Sequence, residues 1–166
     1  MLNRPRNFVY GESTFPGILT LFKDIEKDGI TKDDVFLDIG SGYGKITKAA
    51  AEYFRIKSYG IELDEEKYRI SKKINLYGSG YFNVNFIHGD YKNYMDIINE
   101  ATIIYGNVVM FSKEQLDPLF KNILSRNNVV LYHNSFHLKS TETLNVSSTW
   151  KPNGTTYYKI NTKQRG

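Results

Sequence analysis

The sequence predicts an α/β fold, in which a Rossmann-like, doubly wound and mostly parallel sheet of seven strands ends in an antiparallel C-terminal hairpin. Short apolar runs alternate with segments of helical periodicity, as is typical of parallel strands joined by crossover helices. The last two runs flank Pro152-Asn153-Gly154, a hairpin signal. With 166 residues, 40% of them hydrophobic, the chain is expected to form a single domain over residues 1–166.

Each element follows from a local pattern. The first helix is capped by Ser13 or Thr14, has Pro16 in its first turn and ends at Gly29. Further helices are predicted over 44–54, around Tyr68 to Tyr77, and over 113–124. The predicted strands cover 35–39, 59–64, 84–91, 101–107, 128–134, 147–151 and 155–160.

Composition narrows the classes of function. The chain has no cysteine, which excludes disulfides, thiolate metal sites and a cysteine nucleophile. No apolar run approaches the roughly 20 residues of a membrane span, and residues 1–6 lack the apolar stretch of a secretion signal. We therefore expect an intracellular protein without a membrane partner. The net charge of +4 favours an anionic partner only weakly.

Glycines and carboxylates follow the predicted strands, where ligands bind in open α/β sheets. A glycine-rich turn lets a ligand approach the backbone, and a carboxylate at the end of the second strand can accept hydrogen bonds from both ribose hydroxyls. These residues predict a nucleoside cofactor site. Strands one to four contribute, in order, Asp38, Gly40, Gly42 and Gly44; Glu62; Asp90 and Tyr91; and Asn107.

The spacing of the glycines distinguishes between cofactors. A dinucleotide fold has G-x-G-x-x-G, whereas this turn reads G-x-G-x-G and has Lys45 where the third glycine would be. The pattern resembles motif I of the class I S-adenosylmethionine methyltransferases. That resemblance implies S-adenosylmethionine as the cofactor and S-adenosylhomocysteine as the product. The alternative is a Rossmann-like domain whose glycines only tighten a turn.

Several methyltransferase reactions fit the sequence poorly. An amino methyltransferase for DNA bases would end strand four with Asn/Asp-Pro-Pro-aromatic, but this strand ends with Tyr105-Gly106-Asn107. Methylation of cytosine at carbon five uses a cysteine nucleophile, which the chain lacks. A ribose methyltransferase of the Lys-Asp-Lys-Glu type would have a lysine in the N-terminal segment, yet the first lysine is Lys23.

Six motifs, in order and spacing, resemble the non-SET histone lysine methyltransferases of the Dot-one (disruptor of telomeric silencing) family. The resemblance covers about residues 8 to 163, and the first motif is the most discriminating. At strand four the family has Asn-Asn, whereas here Val108 follows Asn107, so rate or specificity is expected to differ. The motifs are VYGESTF, DDVFLDIGSGYG, YGIE, HGDY, IIYGNVVMF and SSTWKPNGTTYYKINT.

The resemblance implies roles for individual residues. By this resemblance the domain consists of a loop over the cofactor (1–16), a nucleoside-binding core (17–134) and a C-terminal hairpin region (135–166). Tyr10, Glu12 and Ser13 would contact the cofactor, and the Asn107 carbonyl would orient the amine or the cofactor's amino group. Phe15, Phe111, Phe136, Tyr157 and Tyr158 are candidates for a lysine channel. The alternatives are helix capping for Ser13, strand-end capping for Asn107, and ordinary packing for the aromatic residues, especially Phe136.

The resemblance also implies a substrate. It predicts a minimal Dot-one-like catalytic domain that methylates a nucleosomal histone lysine in the nucleus or another chromatin-containing compartment. Arg4, Arg6, Lys163 and Arg165 could contact DNA weakly. A methyltransferase for RNA, a small molecule or a non-histone protein stays open, as does a non-catalytic module that binds the cofactor. His133 and His137 are four positions apart but are not expected to form a metal site, since no carboxylate is near them in sequence.

Overall fold

The structure, a computed structural model, describes residues 12–77, 83–149, 151 and 153–163, without the side chains of 74–77. Helices and strands alternate along most of the chain. The helices are α1 (Phe15–Lys27), α2 (Lys45–Phe54), α3 (Glu65–Tyr77), α4 (Met95–Glu100) and α5 (Lys113–Leu124). The strands are β1 (Val35–Ile39), β2 (Lys57–Glu62), β3 (Val84–His88), β4 (Ile103–Gly106), β5 (Val130–His133), β6 (Thr143–Val146) and β7 (Thr155–Asn161).

The strands form one sheet in the order β3-β2-β1-β4-β5-β7-β6. Neighbours among β1 to β5 run parallel, whereas β7 lies antiparallel to both β5 and β6. The order reverses beside β1, so β1 and β4 mark the switch point at which open α/β sheets bind ligands. The predicted fold class is confirmed.

Helices cover both faces of the sheet and bury its centre. All five residues of β1 are buried, which explains why this strand reads as a continuous apolar run. Its side chains alternate between two cores, with Phe36 packed in the cluster that contains Phe22 of α1 and Leu37 in the cluster that contains Leu119 of α5. This packing fixes the carboxyl end of β1, where the candidate site lies.

The C-terminal hairpin differs from the prediction. Its first strand is β6 rather than 147–151, so the loop to β7 is longer than the predicted turn. Residues 147–149 instead pair with the segment before α1. Thr14 N donates to Ser147 O at 3.0 Å, and Thr149 N donates to Glu12 O at 2.9 Å. The sequence prediction also missed α4, which at six residues is too short to show a clear period.

A partly buried ion cluster joins α1 to the sheet. The Lys159 ammonium lies 3.0 Å from an Asp24 carboxylate oxygen and 2.7 Å from one of Asp28. Tyr132 OH donates to Asp24 at 2.9 Å. Burial raises the pKa of Asp24, but the hydrogen bonds from Lys159 and Tyr132 outweigh it and hold this pKa below its ordinary value. The cluster fixes α1, which carries the start of the candidate site.

No helix in the described ranges is long and apolar enough to cross a membrane.

Candidate functional site

A cavity of about 500 Å³ opens at the carboxyl ends of β1 to β4. This volume is within the usual range for a small-molecule site. Ten of the residues predicted from the sequence line it: Glu12, Ser13, Asp38, Gly40, Gly42, Glu62, Asp90, Tyr91, Asn107 and Phe111.

The glycine turn after β1 forms the floor of the cavity. Gly40, Gly42 and Gly44 have φ angles of 76°, 57° and 85°, in the left-handed region that glycine adopts without steric penalty. Among the described residues, and apart from its chain neighbours, a Cβ placed at Gly40 would have only Asn107 O within 4 Å, at 3.9 Å, so these residues leave space for a ligand at this backbone. Gly44 differs, because a Cβ there would lie 2.5 Å from the ring of Phe86. Gly44 was predicted to bind the cofactor, but it does not line the cavity and serves the packing of α2 instead.

Glu62 ends the neighbouring strand β2, and its carboxylate bonds the backbone of the glycine turn. One oxygen accepts a hydrogen bond from Gly42 N at 2.6 Å, and the other accepts one from Asp64 N at 2.8 Å. A carboxylate offers about four acceptor positions, so each oxygen keeps one for a ligand. Two adjacent acceptors match the two hydroxyls of a ribose.

Asp38 is a buried acid at the end of β1. Its side chain accepts a hydrogen bond from Thr47 Oγ1 at 3.1 Å and is 3% exposed. Burial raises the pKa of Asp38 to about 7; the hydrogen bond from Thr47 opposes this shift, and the charge of Glu62 adds to it. The carboxyl group is therefore partly protonated at neutral pH.

The turn after β3 supplies a carboxylate and an aromatic wall. Asp90 caps this turn by accepting a hydrogen bond from Lys92 N at 3.0 Å. The Tyr91 hydroxyl donates to the carbonyl of Gln115, and its ring stacks on Phe111 at 6.1 Å. Burial, with a smaller contribution from Asp90, raises the pKa of Tyr91 to about 12, so this phenol stays protonated.

Glu12 and Ser13, in the segment before α1, line the cavity and are held there by a lysine. Lys45 Nζ donates to Ser13 O at 3.0 Å and lies 3.9 Å from a Glu12 carboxylate oxygen. The same ammonium lies 4.8 Å from the centroid of the Phe15 ring, which is 75% exposed. Lys45 therefore ties three predicted site residues to the glycine turn, a contact that sequence reasoning missed.

The two tyrosines of β7 lie away from the cavity wall. Tyr157 is 2% exposed, and its ring centroid lies 5.0 Å from that of Tyr105 in a stacked arrangement. The Tyr105 hydroxyl donates a hydrogen bond to the Tyr157 hydroxyl at 2.6 Å. Tyr158 packs on the opposite face of the sheet against the His133 ring, at 5.7 Å. Neither lines the cavity, whereas Tyr105 does and lies 3.3 Å from the Ser13 hydroxyl. Tyr105, which the sequence analysis did not single out, therefore lines the cavity, whereas Tyr157 packs against it from the core.

Asn107 lines the cavity beyond β4, but its side-chain carbonyl already has a partner. Asn107 Oδ1 accepts a hydrogen bond from Asn134 Nδ2 at 2.7 Å. The predicted use of this carbonyl toward the amine or the cofactor would therefore rely on its second lone pair. Sequence reasoning missed Asn134, whose only signal was its position directly after β5.

Other predicted residues lie away from the cavity or outside the described residues. Tyr10, Arg4, Arg6 and Arg165 belong to the latter group. The Lys163 ammonium lies 3.4 Å from an Asp34 carboxylate oxygen, at the edge where β1 begins and opposite the cavity. Phe136 is 66% exposed, so it does not pack in the core. Within the described ranges, no three His, Cys, Asp or Glu residues form a group that could hold a metal ion.

Comparison with known families accounts for nearly the whole chain. Residues 3–161 match the family described as "Histone methylation protein DOT1". The chain belongs to the DOT1 family. This membership confirms the predicted resemblance, the class of S-adenosylmethionine-dependent methyltransferases and the predicted cofactor.

Curated relatives of this DOT1-family chain are considerably longer. The H3 lysine-79 specific histone-lysine N-methyltransferase of Gibberella zeae is 26% identical over 129 residues, which are 71% of this chain and 26% of that protein. An uncharacterized protein of Methanocaldococcus jannaschii is 36% identical over 76 residues, 46% of this chain and 29% of that protein. The chain thus spans about a quarter of the length of these relatives.

Solved structures share the fold of this DOT1-family chain. An RNA methyltransferase from Salinibacter ruber, in complex with S-adenosyl-L-homocysteine, aligns with a TM-score of 0.68 and 22% identity over 93% of this chain and 95% of that one. The plantazolicin methyltransferase BpumL aligns with a TM-score of 0.57 and 22% identity, over 72% of this chain and 45% of that one. At these identities the likeness establishes the fold alone.

The residues of the cavity fit S-adenosylmethionine. The open backbone at Gly40 gives space for the nucleoside, and Glu62 keeps two acceptor positions for ribose hydroxyls. Ser41 Oγ, which also lines the cavity, is buried and has no hydrogen-bond partner among the described residues. A buried hydroxyl of this kind is stabilised when a ligand or water supplies its hydrogen bond.

Proposed function

We propose that this chain transfers a methyl group from S-adenosylmethionine to the side-chain amine of a lysine in a protein, with a histone lysine as the substrate. The pairing of residues 12–14, of which Glu12 and Ser13 line the cavity, with residues 147–149 carries this proposal. Both segments belong to the motifs that resemble the histone methyltransferases, and they are more than 130 positions apart in the sequence. Several relatives are named as H3 lysine-79 specific methyltransferases, which supports a histone substrate.

The reaction needs a neutral amine. Lysine has an ordinary pKa of about 10.4, so presenting the free base at pH 7 costs about 4 to 5 kcal/mol unless the site lowers this pKa. Removal of water from around the ammonium group lowers it. Met110 and Phe111 line the cavity and would supply apolar surface around the amine. Phe15, predicted for the lysine channel, does not line the cavity and lies against the Lys45 ammonium. S-adenosylmethionine, when bound, supplies an electrophilic methyl group on a sulfonium.

The carboxylates of the cavity already have partners. Glu12 faces Lys45, Asp90 faces Lys92, and Glu62 accepts two backbone hydrogen bonds. Asp38 has a pKa near 7 but is 3% exposed and accepts a hydrogen bond from α2. These contacts favour desolvation over a dedicated general base, so Asp38→Asn at saturating cofactor should keep the alkaline rise of kcat. Loss of that rise would identify Asp38 as the base.

For the substrate we propose nucleosomes together with free histones, in a chromatin-containing compartment. Of the four basic residues predicted to contact DNA, Lys163 is the one that the structure describes, and it pairs with Asp34 at the edge opposite the cavity. A contact between Lys163 and a DNA phosphate at that edge would not guide a substrate lysine into the cavity. We therefore expect weak tethering to DNA, and activity that does not depend on intact nucleosomes.

The test is transfer of a tritiated methyl group onto reconstituted nucleosomes, free histones, RNA and a metabolite pool, with mass-spectrometric mapping of any methylated lysine. We expect label on lysine in both histone samples. Asn107→Ala should lower that turnover strongly while cofactor affinity stays within a few fold. Transfer to RNA or small molecules, with no label on any protein, would overturn the proposal. Cofactor binding without transfer to any sample would indicate a binding module.

A further inference from the structure

Asn134 links the ends of two parallel strands beneath the cavity. It follows β5 directly and is 4% exposed. Its Oδ1 atom accepts a hydrogen bond from Val108 N at 2.8 Å, and its Nδ2 atom donates to Asn107 Oδ1 at 2.7 Å. One side chain therefore bonds both residues that follow β4.

This arrangement fixes the orientation of both amides. A backbone N–H can only donate, so the Asn134 atom that faces Val108 N is the carbonyl oxygen and the other is the NH₂ group. That NH₂ group must meet an acceptor, which is the carbonyl oxygen of Asn107. The NH₂ group of Asn107 is thereby turned away from Asn134. Among the described residues none accepts a hydrogen bond from it, and Asn107 lines the cavity.

Val108 makes the contribution of Asn134 necessary. The Val108 side chain is 1% exposed, packs in the apolar core and cannot form a hydrogen bond. The buried amide that bonds Asn107 therefore comes from the end of the neighbouring strand β5.

We propose that Asn134 is a positioning residue, which orients Asn107 so that its NH₂ group faces the ligand in the cavity. In turnover assays this inference rests on the proposed lysine methylation, because only that reaction reports the effect on the rate. The orientation of the Asn107 amide can be measured without any substrate.

The decisive variant is Asn134→Asp. The introduced carboxylate still accepts from Val108 N, so the buried backbone group keeps its partner. It cannot donate to the Asn107 carbonyl, so the Asn107 amide should turn its NH₂ group toward position 134. We expect kcat at pH 8 to fall roughly tenfold or more, as displaced reacting groups cause. Cofactor affinity, measured by calorimetry with S-adenosylhomocysteine, should stay within a few fold.

The pH dependence separates positioning from a general loss of structure. The introduced carboxyl group is buried, and burial disfavours its charged form, so it should take up a proton as the pH falls. The protonated group can then donate to the Asn107 carbonyl and restore the wild-type orientation of that amide. The ratio of variant to wild-type kcat should therefore rise between pH 8 and pH 6. Asn99→Ala is the matched control, since it removes the Asn122–Asn99 hydrogen bond on exposed parts of α4 and α5. It should leave kcat unchanged at both pH values.

A second variant and a spectroscopic measurement complete the test. Asn107→Asp keeps an acceptor for Asn134 Nδ2 but removes the NH₂ group from the cavity, so it should lose as much turnover as Asn134→Asp. In ¹⁵N spectra, Asn134→Asp should shift the side-chain NH₂ signals of Asn107, whereas Asn99→Ala should not. Wild-type kcat in either aspartate variant, or unshifted Asn107 signals, would overturn the inference. If the wild type methylates no lysine, the proposed function fails, and the Asn107 signals alone decide the inference.

Discussion

Replacing Asp38 by asparagine should raise the free energy of unfolding above neutral pH. The Asp38 carboxyl group is buried, and its pKa is raised from the ordinary 3.8 to about 7. A carboxyl group of this kind stabilises the folded state while it is protonated. Its contribution is complete below pH 3.8, declines as the pH rises, and is lost once the pH has passed about 7. Asparagine has the same shape and cannot ionise, so the variant escapes this loss.

The size of the effect follows from the two pKa values. At about 1.36 kcal/mol for each pH unit, burying Asp38 destabilises the fold by about 4 kcal/mol at pH 8 and by about 1.5 kcal/mol at pH 5. An unpaired amide N–H in the variant would subtract a similar amount at both pH values. The predicted quantity is therefore the difference: Asp38→Asn should gain about 2.5 kcal/mol more at pH 8 than at pH 5.

Urea unfolding followed by circular dichroism at the two pH values measures this difference. Thr47→Val provides a control of opposite sign, because it removes the hydrogen bond that lowers the Asp38 pKa. This control should be destabilised more at pH 8 than at pH 5. An equal change for Asp38→Asn at both pH values, or a larger loss at pH 8, would show that the folded protein holds Asp38 as a stable carboxylate.

Three further predictions concern individual contacts. Glu62→Ala should weaken S-adenosylmethionine binding by about 1.5 to 3 kcal/mol, the worth of charge-assisted hydrogen bonds, and unchanged affinity in calorimetry would exclude the ribose assignment. Lys45→Met should speed cofactor dissociation about tenfold by releasing the segment before α1, whereas Lys48→Met, on the same helix but away from the cavity, should not. Lys159→Met should destabilise the fold by about 3 kcal/mol at pH 7, because it leaves Asp24 without its ammonium partner. This loss should shrink as the pH falls through the lowered pKa of Asp24, and an equal loss at every pH in urea unfolding would contradict the ion pair.

The sequence predicts best those site residues that stand at the end of an apolar strand pattern. Asp38, Gly40 and Glu62 each stand where an apolar run ends, so the strand pattern located them without any knowledge of contacts. The order of strands and helices then placed them on one edge of the sheet. Gly44 is an exception, because it does not line the cavity and a Cβ there would lie 2.5 Å from the ring of Phe86. A motif gives the spacing of its residues but not the reason for each.

The missed residues act through contacts that are distant in sequence. Asn134 bonds a residue 27 positions earlier, and Lys45 bonds one 32 positions earlier. Neither spacing has a period that a local pattern could reveal. Tyr105 was hidden for another reason, since an aromatic residue in a buried strand reads as core. Its hydroxyl, between Ser13 and Tyr157, shows that it also supports the cavity wall.

Distant contacts also account for the wrong prediction of a hairpin strand over 147–151. The sequence of these residues favours extended backbone, and an extended segment needs hydrogen-bond partners that its own sequence does not identify. In the structure the partner is the segment of Glu12 to Thr14, not β7. This pairing, together with the Lys45 contact, holds Ser13 in the cavity lining. The backbone pairing that takes the place of the predicted hairpin strand therefore also positions a predicted site residue.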